Sequence, residues 1–392
     1  MQSLKRVLIL TTDAGSGHRS AAAAIEREVS HLCETRVVNP AHHPLASTTL
    51  AQAEKFYLEM VRDAPEHYDF AHAMTDVPGL DMFLEFTLSS AVRNSLEAIL
   101  AEYQPDVVVS VYPLFTRIIS HILKPAQRPR LMTVVCDLGN VHRAWFNRVD
   151  DCVAVPTALV REKARKCGID AQKIVHTGLP IDVGYRAMRA PKAELRRDLG
   201  WDPELPTLLL LSGGAGVGPV LEMAQAVDAH TLPCQIAIVA GRNQDLAAAL
   251  RAQTWRNPTH VYDFVPLVDL VHATDIVASK AGGLTVSECM AAGKPMVFYG
   301  EAPGQEGGNR TYVIAHDAGL WAENARTFVD YCHILLASPA LRTSMSDAAR
   351  RIGYPEAAGA VGREVERLLQ MGPVMGAGRT KKPSPLVVPL ER

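Results

Sequence analysis

Short apolar runs rich in β-branched residues alternate along the chain with stretches whose apolar positions return every three to four residues. A period near two in short bursts, broken by a period near 3.6, is the pattern of strands separated by helices. In the first half the pattern predicts strands over Arg6–Thr12, Arg36–Asn39, Asp106–Val111, Leu131–Cys136, Cys152–Val155 and Ile174–His176. Helices are predicted over Arg19–Leu32, within about 45–103, and over Thr157–Lys166. Runs such as Val107-Val108-Val109 are apolar at every position, which predicts strands covered on both faces, as in a doubly wound parallel sheet. At 183–206 the composition changes: Arg186, Arg189, Lys192, Arg196 and Arg197 mix with Pro191, Pro203 and Pro206, which reads as a charged helix and linker. The alternation then restarts, with strands over Thr207–Leu211, Gln235–Val239, His260–Tyr262, Ile276–Ala278 and Pro295–Tyr299. The expectation is an α/β protein with two Rossmann-like domains facing a cleft. The first spans 1–185, the second 205–350, and a helix at about 354–370 packs back on the first; the Gly-, Pro- and Lys-rich tail 371–392 reads as disordered.

Length agrees, since 392 residues exceed one ordinary core. Forty Lys and Arg against forty-two Asp and Glu leave a net charge of −2, which offers no global field for nucleic acid. The seven cysteines are scattered and never spaced C-x-x-C, as expected of reduced thiols in a cytosolic protein. Lys5-Arg6 precedes an apolar run of only Val7 to Leu10, and no stretch approaches about 18 apolar residues, so neither a signal peptide nor a membrane-spanning helix is expected.

Candidate chemistry concentrates at three glycine-bearing junctions between a strand and a helix. In Thr11-Thr12-Asp13-Ala14-Gly15-Ser16-Gly17-His18-Arg19, Ser20 stands at the third glycine position of a dinucleotide fingerprint. The next strand ends at Asn39 rather than at an acid for a ribose, which argues against a nicotinamide dinucleotide. A structural turn and a turn that admits substrate both remain open. Gly17 and His18 would lie at the mouth of the cleft, where a histidine suits a general base near neutral pH. Ser212-Gly213-Gly214-Ala215-Gly216-Val217-Gly218 carries more glycine than a turn needs, and its main-chain N–H groups can converge on a diphosphate. In Ser279-Lys280-Ala281-Gly282-Gly283-Leu284-Thr285-Val286-Ser287-Glu288, Thr285 and Glu288 have capping-box spacing, which alone could start a helix. This run is followed by Gly293-Lys294-Pro295 and then by Pro303-Gly304-Gln305-Glu306-Gly307-Gly308-Asn309, dense polar sequence beyond a strand end.

These last runs, with Phe264-Val265-Pro266-Leu267 before them, resemble the donor domain of monogalactosyldiacylglycerol synthases, which are similar to the processive diacylglycerol glucosyltransferases. Gly17-His18-Arg19-Ser20-Ala21-Ala22, Asp137 with Trp145-Phe146, and Gly178-Leu179-Pro180 resemble segments of the same family's first domain. Together they extend the resemblance over about residues 5–370. It implies a GT-B glycosyltransferase that moves galactose or glucose from UDP-galactose or UDP-glucose to diacylglycerol, inverting the anomeric carbon and requiring no metal or other cofactor. Glu288 would hold the ribose; Thr285 with Gly282 and Gly283 the diphosphate; and the main chain at Phe264 and Val265 the uracil. Gln305, Glu306 and Asn309 would reach the sugar, Ser212, Gly213, Gly214 and Gly216 would close over the phosphates, and His18 or Asp137 would take the acceptor proton. His142 reads as structural or acceptor-contacting. The sparser glycines of Ala14-Gly15-Ser16-Gly17 depart from the family's first loop and bear on acceptor geometry.

A diacylglycerol acceptor implies peripheral attachment to the inner face of the cell membrane. The apolar residues of about 45–100 (Phe56, Tyr57, Tyr68, Phe70, Met82, Phe83 and Phe86) read either as helical core or as a lipid-facing surface, joined by Trp145 and Phe146, with Arg379, Lys381 and Lys382 available to anionic lipid. Rival readings are transfer of an N-acetylglucosaminyl group to another lipid or soluble acceptor, a UDP-sugar epimerase on the same frame, and a non-catalytic nucleotide-sugar binding module.

Overall fold

The computed structural model describes residues 4–13, 16–46, 76, 81–125, 128–300, 306–372 and 374; of residues 16, 81–88 and 90 it describes the backbone only. The region 47–75 and the tail 375–392 therefore lie outside the described residues, and so do Gln305 and most of the aromatic residues singled out between 45 and 100.

The first domain is a six-stranded parallel sheet in the order β2-β1-β3-β4-β5-β6. Its strands are β1 (Arg6–Leu10), β2 (Glu34–Val38), β3 (Val107–Ser110), β4 (Arg130–Val134), β5 (Cys152–Val155) and β6 (Ile174–His176). Alternation places successive side chains on opposite faces, and both faces are dry. Val7, Ile9, Val107 and Val109 pack in one cluster with Ala21, Ala22 and Ile25 of α1 (Ser16–Val29). Leu8, Leu10 and Val108 pack on the other face with Leu96 and Ile99 of α2 (Asp81–Tyr103) and Ile118 and Ile119 of α3 (Phe115–Ile122). Helix α4 (Ala158–Lys166) joins β5 to β6.

The chain then crosses to the second domain through residues 183–191. Lys192 and Arg196 of α5 (Lys192–Asp198) both bind the Asp275 carboxylate, which fastens this helix to the second domain. The second sheet, also parallel and six-stranded, has the order β12-β11-β10-β7-β8-β9. It comprises β7 (Thr207–Leu211), β8 (Gln235–Val239), β9 (Thr259–Tyr262), β10 (Ile276–Lys280), β11 (Met296–Gly300) and β12 (Gly319–Trp321). Leu209 and Leu211 face one cluster, Leu208 and Leu210 the other. Between and after the strands run α6 (Val220–Ala229), α7 (Gln244–Arg251), α8 (Val268–Ala273), α9 (Gly283–Ala291), α10 (Glu306–Ala315), α11 (Ala325–Ala337) and α12 (Pro339–Ile352). The chain crosses back at Gly353–Glu356, and α13 (Ala357–Met371) packs on α1, β3 and β4. The edge strand β12 and the helix α3 are elements the sequence pattern did not predict.

Strand order reverses between β1 and β3 in one sheet and between β7 and β10 in the other. At such a point the loops leaving neighbouring strands go to opposite faces and open a crevice at the carboxyl ends. The turn carrying His18 leaves β1, and the turns carrying Ser212–Gly218 and Ala281–Gly283 leave β7 and β10. Each glycine junction of the sequence thus falls at a reversal.

Candidate active site

His18 sits in the first turn of α1, where its ring is met edge-on by Tyr112 at 5.5 Å and flanked by Trp145 at 6.1 Å. The residue is half-buried, and its Nδ1 is buried with no hydrogen-bond partner among the described residues. Burial pushes the imidazole pKa down to about 4, against a hydrogen bond to the Val111 backbone that favours the charged form. The ring is therefore neutral at pH 7. With the other nitrogen donating to the Val111 carbonyl, Nδ1 carries the free lone pair. Asp13, in the same turn, is held by Arg19, Asn39 and His42; the Arg19 hydrogen bond is the largest influence keeping its pKa low. Asn39, where a ribose-binding acid was absent, thus anchors the turn.

Asp137 follows β4, and its pKa is pushed up to about 7, first by burial and then by the facing carboxylate of Glu306. Hydrogen bonds from Trp145 and Asn309 oppose that rise. Trp145 therefore touches both candidate bases. It is 4% exposed and Phe146 6%, both within the first-domain core. The expectation that they face a bilayer is corrected: the turn 143–145, capped by His142 accepting from the Ala144 N–H, directs them inward. That bond gives His142 a structural role.

Across the cleft, the β7 turn is shaped by left-handed glycines. A Cβ on Gly213 (φ 74°) would lie 2.9 Å from Lys280 Cε, and one on Gly216 (φ 68°) 2.3 Å from Asn243 Cβ. Gly214 accepts from the Arg242 N–H at 3.1 Å. Ser212 donates to the Val239 carbonyl at 2.8 Å, so its hydroxyl braces the turn. Helix α6 begins without a side-chain cap, and so does α9, whose N-cap is Gly282. The capping-box expectation is corrected here, because Thr285 lies inside the first turn of α9. Gly283 and Thr285 therefore belong to a helix end whose first amides lack intrahelical partners, a ready anion site. Lys280, at the end of β10, places its ammonium 2.7 Å from Glu306 Oε1. Phe264 is 53% exposed in the β9 turn, and Val265 beside it is half-buried.

Two expected donor contacts are engaged otherwise. Asn309 is fully buried: Oδ1 accepts from the Leu138 N–H at 2.7 Å, while Nδ2 donates to the Ala281 carbonyl at 3.1 Å. With Asp137 as a further partner, its amide joins the two domains and is not presented to a sugar. Glu288, 7% exposed, is hydrogen-bonded to Tyr185 of the first crossover. Burial, with Asp182 nearby, pushes its pKa up to about 8.

Glycine brings the walls together. A Cβ on Gly308 would fall 2.2 Å from the Asn140 nitrogen, one on Gly139 2.3 Å from the Gly308 oxygen, and one on Gly283 2.6 Å from the Cys136 oxygen. Gly17 meets Leu284 of α9 at 3.6 Å by the same measure. The structure thus gathers His18, Asp137, Glu306, Lys280 and the two donor-side turns about one cleft. Lys280, Tyr112 and Arg242 were missed as site residues. Lys280 alone had a signal, a lysine directly before a glycine turn at a strand's carboxyl end. A cavity of 840 Å³ lies elsewhere, between crossover residues such as Arg186 and the α9 and α12 region, and holds none of these groups.

Two Rossmann-like domains closing on a cleft at paired strand-order reversals define a protein of the GT-B glycosyltransferase fold. Solved structures agree on the fold. The calicheamicin glycosyltransferase CalG4 superposes with a TM-score of 0.61 at 14% identity, over 94% of this chain and 99% of that one. The UDP-GlcNAc 2-epimerase of Neisseria meningitidis, bound to UDP-GlcNAc, gives 0.58 at 14% identity over 93% and 100%. A family model of monogalactosyldiacylglycerol (MGDG) synthase matches residues 18–181, and one of the glycosyltransferase family 28 C-terminal domain matches 217–319. Monogalactosyldiacylglycerol synthase 2, chloroplastic, of Arabidopsis thaliana is 30% identical over 389 residues, covering 94% of this chain and 82% of the relative. Synthase 1 of the same plant, also chloroplastic, is 28% identical over 93% and 71%. The chain belongs to the monogalactosyldiacylglycerol synthase family.

Proposed function

We propose that this protein transfers a hexose, galactose by its kinship, from a UDP-sugar to the free hydroxyl of diacylglycerol, inverting the anomeric carbon to a β-glycoside. The observation that carries this reading is the shared cleft, with a neutral histidine and a carboxyl of raised pKa on one wall and uncapped helix ends with a lysine on the other. In the reaction the acceptor oxygen forms a bond to C1 as the bond from C1 to the diphosphate oxygen breaks. The proton passes to His18 Nδ1, and the electron pair leaves with UDP. Asp137, linked to His18 through Trp145, is assigned to stabilise the imidazolium. Amides of Gly213, Gly214 and Gly283, with Thr285 and Lys280, take up the negative charge on the leaving diphosphate, a form of stabilisation that needs no metal or other cofactor. The Gly216 N–H donates to the Gly213 carbonyl and holds the turn in shape. Glu306 and Gln305 are assigned to the sugar hydroxyls, Glu288 to the ribose by exchange of its Tyr185 contact, and Phe264 and Val265 to the uracil.

No helix among the described residues is long and apolar enough to cross a membrane. An acceptor confined to a bilayer then requires peripheral attachment through the first domain, which we assign to the cytoplasmic face. The test is incubation with UDP-galactose or UDP-glucose, with and without diacylglycerol vesicles, followed by analysis of the product's anomeric configuration. UDP release that depends on lipid, with a β-linked product, is expected. Release without lipid, an epimerised sugar, or UDP binding with no turnover would replace this reading with a soluble acceptor, an epimerase or a binding module respectively.

A further inference from the structure

The turn after β8 has no part in the assignments above, yet it is built into the donor wall. Gly241 is left-handed (φ 66°), and a Cβ there would fall 2.4 Å from the Gly213 oxygen. Next to it the Arg242 N–H donates to the Gly214 carbonyl at 3.1 Å, and Asn243 Nδ2 donates to the Gly216 carbonyl at 2.9 Å. The turns after β7 and β8 are therefore cross-tied as one unit, and the backbone of Arg242 is fixed within it. From this fixed point the Arg242 side chain lies over the exposed ring of Phe264, its guanidinium carbon 4.0 Å from the ring centroid. Arg242 is thus the residue that connects the diphosphate turn to the aromatic platform of the β9 turn. A guanidinium is planar and weakly hydrated, so a flat ring can stack on it as on an aromatic side chain.

We infer that Arg242 is a specificity-determining residue of the donor site, whose guanidinium plane, backed by Phe264, forms the surface on which the nucleobase stacks. The inference rests on the UDP-sugar reading and names its base contact. Lysine could supply charge at this position but no plane, and leucine in place of Phe264 would leave the guanidinium without backing.

Calorimetry on the full chain with UDP, UMP and pyrophosphate separates the possibilities. Arg242→Ala and Arg242→Lys should each weaken UDP and UMP on the order of tenfold, the scale of one stacked base, and leave pyrophosphate unchanged. Phe264→Leu should do the same, and the Arg242→Ala/Phe264→Leu pair should lose no more than the larger single effect. Thermal unfolding checks that each variant is folded. Rescue by Arg242→Lys, an equal loss for pyrophosphate, or unchanged UDP affinity in Arg242→Ala would overturn the stacking role. Failure of the wild-type chain to bind UDP would instead remove the donor reading on which it stands.

Discussion

The turn after β1 and the turns after β7 and β10 occupy equivalent places, each at the reversal of a parallel sheet, yet they are made of opposite materials. The first is a side-chain site: His18 is desolvated between Tyr112 and Trp145, and Asp137 is desolvated opposite Glu306. Both groups are moved toward their neutral forms, which leaves His18 unprotonated and brings the ionisation of Asp137 close to pH 7. The second is a main-chain site, where left-handed glycines and uncapped helix ends leave N–H groups for an anion, with Lys280 as the nearby cation. One scaffold thus supports proton chemistry through burial and anion binding through backbone geometry.

The sharpest break between the two walls should come from His18→Ala. We expect turnover to fall by about 10²–10⁴, with UDP affinity within about twofold on calorimetry, since the residue stands on the other wall. A mutant as active as the wild type would move the base to Asp137. Next in size is Gly308→Ala, whose new methyl would meet the Asn140 backbone and wedge the walls apart. Misplacement on the order of 1 Å should lower turnover about 10²-fold. UDP affinity, read on the same sample, should persist. Equal turnover would show that the walls need not approach this closely.

Lys280→Gln should weaken UDP by about 1.5–3 kcal/mol, the range of a charge-assisted bond. Glu288→Ala is expected to cost UDP about 0.5–1.5 kcal/mol, the range of an uncharged hydrogen bond, because a pKa of about 8 leaves the carboxyl mostly protonated at pH 7, provided the mutant remains folded by thermal unfolding. Unchanged affinity in either would remove that residue from the donor site.

The smallest effect concerns pH. The folded pKa of Asp137 is about 7, raised from the ordinary value of 3.8, so the folded chain holds a proton there that the unfolded chain releases. Between those values stability falls as pH rises. If the Asp137 anion supports His18⁺, kcat/KM for the lipid should climb through pH 7 over the same range. His18 itself, with a pKa of about 4, contributes no limb there. Glu306→Gln removes the facing negative charge and should shift the limb to lower pH. A profile flat between pH 6 and 8 would detach Asp137 from the reaction.

Much of the architecture was legible because parallel strands covered on both faces must be apolar at every position, as Val107–Val109 and Leu208–Leu211 are. The three-residue β12 escaped notice because so short an edge strand has no period to detect. The start of α9 was misread because Thr285 and Glu288 have the spacing of a cap, whereas the helix begins three residues earlier at Gly282. Trp145 and Phe146 look alike in sequence whether they face lipid or core, and the 143–145 turn decided for the core.

The sequence by itself determined the two parallel sheets, the places where glycine interrupts them, and which residue types stand there, because these follow from local period and backbone permissiveness. Only the tertiary structure decided what those residues do. Asn309 lies 171 positions from Leu138 and becomes a bridge between domains. Lys280 finds Glu306 26 positions away, and Asp137 acquires its high pKa first from burial and then from a carboxylate in the other domain. Desolvation and charge coupling depend on distance in space, and nothing in local sequence encodes the distance between two walls that meet only when both domains have folded.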